Sequence, residues 1–339
     1  MSVECFRSGD VVPQPPEPRS EEEIIAGWSG DADRPALAIC CIVYNHAEFI
    51  ADALNGFLSQ VTDFPFSIII HDDASTDGTQ DIIKKYGKNY PKIIKTILQE
   101  ENQYSKGRRA LSFFQGVSDA KYLAVCEGDD YWLDSTKLKK QVDYLEKHPE
   151  CVITGHDAFI TDETGLIVKP SKLPDGHKRD YSSDELAEGK AWILTMSWVY
   201  RNVVEDFAPE RNMVRNGDNF LTSILGQYGG SHYHHDIKPA AYRVHAGGVW
   251  SSASEDKKQD DQINTWFWMY RYYKRIGKPE LAGIYFSRFQ SIVFRKSSFL
   301  KLAKASLIKF FMIDSAKVKL REMMGPNRIV RIKRLLGKI

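Results

Sequence analysis

The 339-residue chain has no apolar run approaching the roughly 18–20 residues that span a bilayer. Its start carries no basic segment followed by an apolar one. The expectation is a chain without a spanning helix or a secretory leader. Cysteine is sparse and odd in number: Cys5, Cys40, Cys41, Cys126 and Cys151. Cys40, Cys41 and Cys126 fall inside apolar runs. That excludes a disulfide framework and points to reduced thiols in a cytoplasmic protein. No period repeats along the chain. Neither sign of charge dominates overall, with 46 Lys and Arg against 45 Asp and Glu. No base-stacking module accompanies the basic residues, so nucleic acid is not an expected partner. The composition is that of a globular protein, long enough for one large α/β domain with an extension.

What the chain does have is the run Cys126-Glu127-Gly128-Asp129-Asp130-Tyr131-Trp132, directly after the apolar stretch Tyr122–Cys126. Three carboxylates within four positions repel one another unless a cation or a hydrogen-bonded ligand joins them. Hard divalent ions such as Mg²⁺ and Mn²⁺ take such oxygens and bridge them to phosphates. The plainer alternative is an acidic turn capped by Asp134 and Ser135 ahead of a helix. Two upstream segments bear on the choice. Ala36–Val43 is an apolar run ending in Tyr44-Asn45-His46, and Phe66–Ile70 ends in His71-Asp72-Asp73-Ala74-Ser75-Thr76-Asp77-Gly78-Thr79. A helical pattern follows each. Near-continuous hydrophobic strands alternating with helices imply a mostly parallel sheet covered on both faces. Ligands bind outside the carboxyl ends of such strands, so the three polar clusters should meet in one crevice.

These segments, in this order and spacing, resemble the inverting family 2 glycosyltransferases over roughly residues 36–250. The resemblance implies a GT-A fold, a nucleotide-diphospho-sugar donor, a divalent metal and a glycan or lipid-linked acceptor of the surface-polysaccharide kind. Position by position, it implies that Ile42, Val43, Tyr44 and Asn45 meet the base, much of it through backbone. It places Asp72 and Asp73 beside the base, with Asp73 accepting from an imide N–H. It assigns Glu127, Gly128, Asp129 and Asp130 to the ribose and to the metal on the diphosphate. Glu127 departs from the family's usual Asp and is one methylene longer.

The acceptor hydroxyl must lose a proton as it attacks the anomeric carbon, and a carboxylate suits that task. Arg215-Asn216-Gly217-Asp218-Asn219 precedes a helical pattern and resembles the family's catalytic region. Asp218 is the expected base; the alternative is a helix N-cap aspartate. Tyr242-Arg243-Val244-His245 resembles a segment that closes the donor site. The resemblance makes His245 a further metal ligand, better suited to Mn²⁺ than to Mg²⁺, and Arg243 a phosphate contact. Arg109 is a further candidate for the diphosphate. The His232, His234 and His235 cluster fits no zinc spacing and reads as a strand edge. His156-Asp157 either touches the acceptor or crosses the sheet.

Two other function classes share parts of this pattern. A sugar-nucleotide nucleotidyltransferase also uses a parallel sheet and Mg²⁺, but it carries a glycine-rich basic loop after its first strand, and residues 43–50 have none. A non-catalytic carbohydrate-binding scaffold would have little reason to keep every acidic position.

Three parts are expected. Residues 1–35 form a loose, proline-bearing arm with a short helix. Residues 36–255 are the catalytic domain, divided near 135 into a nucleotide-sugar half and an acceptor half. Residues 256–339 form a helical, basic extension. From Lys296 to Ile339 there are twelve Lys or Arg against Asp314 and Glu322. Apolar residues recur there at helical spacing. Such a segment lies on an anionic membrane surface, at the inner face of the plasma membrane, or packs on the catalytic domain; both readings stand. The aromatics between Gln262 and Arg295 form either a helix pair packed on the sheet or an acceptor platform.

Overall fold

The structure is a computed structural model, and it describes residues 6–108, 114, 118–204, 208–248 and 253–296. A central sheet has the order β3-β2-β1-β4-β8-β5-β9, built from β1 (Leu37–Val43), β2 (Phe66–Asp72), β3 (Ile94–Leu98), β4 (Tyr122–Glu127), β5 (Cys151–Gly155), β8 (Val199–Arg201) and β9 (Gly230–Tyr233). It is parallel except for β8, which runs antiparallel between β4 and β5. A smaller sheet, β10-β6-β7, comprises β6 (Ala158–Thr161), β7 (Ile167–Lys169) and β10 (Ala240–Arg243).

The apolar runs are continuous because both sheet faces are buried. Leu37, Ile39, Cys41 and Val43 enter one core with Ile68, Ile70, Ala124 and Cys126. Ala38 and Cys40 enter the opposite core with Ile69, Leu123 and Val125. This is the two-residue alternation of a strand with no polar face. Each fully buried Ile, Leu or Phe contributes on the order of 1.5–3 kcal/mol. Cys40, Cys41, Cys126 and Cys151 are buried free thiols. Burial pushes the Cys41 and Cys126 thiols well up, so they are inert.

The helices α2 (Ile50–Leu58), α3 (Thr79–Asn89) and α4 (Lys137–Lys147) follow β1, β2 and β4, after α1 (Glu21–Ala26) near the start. Parallel register sets Val43 opposite Asp72 and Ile42 opposite Glu127. The three polar clusters therefore leave the sheet side by side.

Residues 6–12, expected in a loose arm, are tied to the second sheet. Val11 bridges Leu166, and backbone bonds join Gly9 and Asp10 to Ile167 and Val12 to Gly165. Val12 is buried, and Phe6 packs edge-on against Phe159. The free edge of β7 supplied the hydrogen-bond partners that the sequence did not reveal.

After α5 (Ser183–Ala187) and α6 (Gly217–Leu225), two long helices follow, α7 (Glu255–Arg275) and α8 (Pro279–Lys296). They pack on α6 rather than on the sheet, with Phe220, Ile224, Met269, Tyr273 and Tyr285 forming one cluster. Residues 297–339, the tail read as membrane-facing or packed, lie outside the described residues. Among the described residues no helix is long and apolar enough to cross a membrane.

Candidate active site

Loops after β1, β2 and β4 are knitted together by short polar side chains. Asn45, at φ +55°, accepts from Thr76 N through Oδ1 (2.9 Å), and its own N–H reaches Ser75 Oγ (2.8 Å). Asp77 accepts from Ala47 N, and Thr79 Oγ1 accepts from His46 N, each at 2.9 Å. This network fixes the backbone of His46. The loop after β4 is tied to the second sheet, since Tyr131 and Ala241 exchange backbone bonds. Asp130 Oδ1 accepts from Arg243 N (2.9 Å).

The consequence is a compact group of three side chains. His245 Nε2 lies 3.0 Å from Asp129 Oδ2, and His46 Nε2 lies 3.7 Å from the same oxygen. One ligand atom from each can lie within 4.8 Å of the others. Burial holds the His46 imidazole below its ordinary value, toward the neutral form a cation needs. Burial raises Asp129, but the His245 hydrogen bond and the nearby His46 outweigh it and leave the carboxyl below the usual range. Asp129 Oδ1 and His46 Nδ1 are buried without a partner. Two imidazoles and a carboxylate with unused polar atoms fit a first-row divalent ion better than Mg²⁺.

Beside this group opens a cavity of about 600 Å³, lined by Ile42, Glu127, Asp130, Lys172, Asp218 and Tyr242 among others. Burial, then Asp129, pushes Glu127 up to about 7, with Asp218 adding to the effect. Asp218 is raised by burial. Asn216 occupies the N-cap position of its helix without a side-chain cap bond, so Asp218 lies inside the first turn and not at the N-cap. Lys172 brings an ammonium to this acidic wall. Its Nζ stands 3.3 Å over the Tyr242 ring, and it interacts favourably with Asp130 and Glu127.

Residues 38–201 match the family model described as Glycosyl transferase family 2. That match spans just under half of the chain and likens this region to the family 2 glycosyltransferases. An uncharacterized protein of Mycobacterium tuberculosis is 38% identical over 227 residues, which are 66% of this chain and 63% of that protein. The chain thus spans under two thirds of that relative's length. The Escherichia coli protein named UDP-Glc:alpha-D-GlcNAc-diphosphoundecaprenol beta-1,3-glucosyltransferase WfaP is 28% identical over 67% of this chain and 84% of its own. The solved structure of Staphylococcus aureus TarS 1–349 in complex with UDP-GlcNAc superposes with a TM-score of 0.53 at 16% identity, covering 75% of this chain and 72% of that one. That likeness shows the same fold.

Within the matched region, the residues expected at the donor have varied surroundings. Val43 is fully buried in the core, and its carbonyl accepts from Asp73 N. Ile42 lines the cavity, and Tyr44 is exposed. Asp72 is fully buried and ties its own turn, accepting from Ser75 N (3.0 Å) and Gln80 Nε2 (2.7 Å). Asp73 accepts from Gln103 N (2.7 Å) and Tyr104 N (3.0 Å), so a base would share oxygens already in use. Gly128 is packing-limited. A Cβ there would lie 2.9 Å from Ile50 Cδ1 and 3.1 Å from His46 Nδ1.

Arg243 is held by several partners, while its Nε is buried with none. It pairs with Asp52, donates to Asp129 O (3.1 Å) and sits between the Phe49 and Tyr131 rings. It clamps the acidic loop. Asp130 likewise falls outside the three-residue metal-competent group. Arg109 lies outside the described residues.

His46, brought beside Asp129, and Lys172, brought to the cavity, were not among the residues expected from the sequence. An imidazole one residue beyond Asn45 was a usable signal. Lys172 had none, because a loop lysine between β7 and α5 looks solvated until its surroundings are known. Asp157 now has a role: its Oδ1 accepts from Ala158, Lys172 and Leu173 N–H groups, so it fixes the loop that carries Lys172. His232 stacks on Tyr144 at 3.7 Å and lies 3.1 Å from Asp180 at the sheet edge.

Proposed function

We propose that this protein is an inverting glycosyltransferase. It would move a sugar from a nucleotide-diphosphate donor, a UDP-sugar, to a hydroxyl of a glycan or lipid-linked acceptor in surface-polysaccharide synthesis. The observation that carries the reading is the adjacency of two functions. Asp218 and Glu127 share one cavity, and Glu127 is two residues from Asp129 of the metal-competent group. The relative named as using UDP-Glc and a diphosphoundecaprenol-linked acceptor supports the donor base and the acceptor class.

His46, Asp129 and His245 would hold Mn²⁺. When bound, the ion neutralises charge developing on the departing diphosphate. Asp218 takes the proton from the acceptor hydroxyl as that oxygen bonds to the anomeric carbon and the bond to the diphosphate breaks. Burial raises its basicity toward the working pH, which favours proton transfer. The α6 N-terminus limits the rise by stabilising the carboxylate. Glu127 accepts from donor hydroxyls, and Lys172 keeps the acidic wall from repelling the diphosphate. Ile42 and the backbone at Tyr44 and Asn45 border the base. The basic segment 297–339 would hold the enzyme to an anionic membrane face, where a lipid-linked acceptor resides.

The test is donor hydrolysis by the purified chain across a panel of UDP-, GDP- and dTDP-sugars with Mn²⁺, Mg²⁺ or EDTA. Hydrolysis of one donor that stops in EDTA is expected. Neither turnover nor nucleotide binding with any donor would refute the reading.

A further inference from the structure

We propose that the cavity beyond Asp218 is an acceptor subsite for a pyranose ring, walled by Trp192 and Trp266 and addressed by Gln262. The proposal rests on the transferase reading and adds the residues and ligand class on the acceptor side. Four observations carry it. First, the cavity that holds Glu127 and Asp218 is also lined by Trp192, Trp266, Gln262 and Arg215. Its volume of about 600 Å³ is that of a small-ligand site.

Second, Trp192 is 44% exposed, whereas Trp132 and Trp198 are buried at 1% each. An indole kept partly open in a concave site offers a flat apolar face, and a pyranose has a matching C–H face. Third, Gln262 Nε2 is buried without a hydrogen-bond partner, while its Oε1 lies 3.5 Å from Asn216 Nδ2. A buried amide donor left unpaired is costly unless a ligand acceptor, such as a sugar hydroxyl, completes it.

Fourth, the helical extension holds the wall rigid. Arg288 Nη1 donates to Gly189 O (3.0 Å), and Tyr285 OH donates to Ala187 O (2.6 Å), pinning the start of the strap that carries Trp192. Gly189 has φ +68°, and a Cβ there would lie 2.9 Å from Tyr285 OH, so the strap sits hard against α8. Trp266 packs on Tyr285 at 5.5 Å and under Arg288 at 5.3 Å. The same two α8 residues therefore position both tryptophans. A preorganised aromatic wall loses little entropy when a ligand binds.

The test measures binding by the full chain loaded with Mn²⁺ and UDP. The probes are methyl β-D-glucopyranoside, methyl N-acetyl-α-D-glucosaminide and α-GlcNAc-diphospho-undecyl lipid. Calorimetry and saturation-transfer NMR would compare wild type, W192A, W266A, Q262A and W192F. Wild type should bind at least one probe. W192A and W266A should weaken that binding by about tenfold or more, and W192F should restore it to within about threefold. UDP affinity in the same samples should change by less than about twofold. Tighter binding of the diphospho-lipid that R215A removes assigns a lipid-linked source; equal binding of all pyranosides assigns a glycan. Pyranoside binding indifferent to both tryptophans would overturn the proposal alone. So would a parallel loss of UDP affinity and pyranoside binding in the tryptophan variants, which would mark a purely structural role. Failure of wild type to bind UDP at all would remove the transferase reading, and this proposal with it.

Discussion

Replacing Asp157 tests whether one buried carboxylate builds the loop that carries Lys172. Asp157 is 7% exposed. Its Oδ1 accepts from Ala158 N at 2.8 Å, Leu173 N at 3.0 Å and Lys172 N at 3.2 Å. Oδ2 takes the Ser171 hydroxyl, and Lys178 Nζ lies 3.3 Å away. In Asp157→Ala, Lys172 N keeps a second acceptor, Ala158 O at 2.7 Å, and Ser171 Oγ keeps Leu173 O at 2.8 Å. Two N–H groups, of Ala158 and Leu173, lose this acceptor. At about 1–3 kcal/mol each, partly relieved by water at the loop, the loss should be about 3 kcal/mol. In a domain of this size that lowers the melting temperature by roughly 6–10 °C. Asp157→Asn keeps an oxygen at the Oδ1 position and forfeits only charge assistance and the Lys178 pair. It should cost about 1 kcal/mol, because that pair is partly exposed and screened. The assay is urea and thermal unfolding of both variants, followed by donor hydrolysis. Lys172→Met should match the activity loss of Asp157→Ala without its stability loss. If Asp157→Ala were within about 0.5 kcal/mol of wild type, the clamp would not hold the loop. Equal loss in both variants would mean that charge, not the Oδ1 geometry, is what matters.

Other outcomes follow from the same geometry. Asp218→Asn should lower kcat by about 10²–10⁴ while nucleotide affinity holds; near-normal turnover would exclude it as the base. His46→Ala should raise the Mn²⁺ concentration for half-maximal hydrolysis by about tenfold or more. Asp130→Asn should leave it within about threefold, because that side chain anchors Arg243 N instead. His156 is buried, and desolvation lowers it to about 3. The unfolded chain therefore binds its proton first, and stability is full above about pH 6.5 and falls as pH drops from there toward 3. The slope is about 1.4 kcal/mol per pH unit, or on the order of 2 kcal/mol at pH 5. His156→Gln should flatten that limb in pH-dependent urea unfolding, and an unchanged slope would mean His156 is not the group responsible.

Much of the sheet around β1, β2 and β4 was legible in the sequence. Ala36–Val43, Phe66–Ile70 and Tyr122–Cys126 read as buried strands because, apart from the small Ser67, nothing polar interrupts them. A parallel sheet then puts Asn45, Asp72 and Glu127 at one edge. The part of the chain after residue 135 was less legible. β8 has three residues and runs antiparallel between β4 and β5. Its place depends on pairing with strands distant in sequence, which local pattern does not encode. The N-terminal arm misled for the same reason, since prolines say nothing of a vacant β7 edge.

Residue type also did not reveal the job of each carboxylate. By itself the sequence determined which segments are apolar, which carry charge and where they end, because burial and strand period are local properties. Tertiary structure decided that Asp129 faces two imidazoles, whereas Asp130 faces a backbone N–H. It likewise tied Asp72 and Asp73 into turns and put Lys172 and Trp266 on the same cavity as Asp218. Apart from the local turn at Asp72, those assignments depend on side-chain direction and on contacts between residues tens to more than a hundred positions apart, which only packing sets.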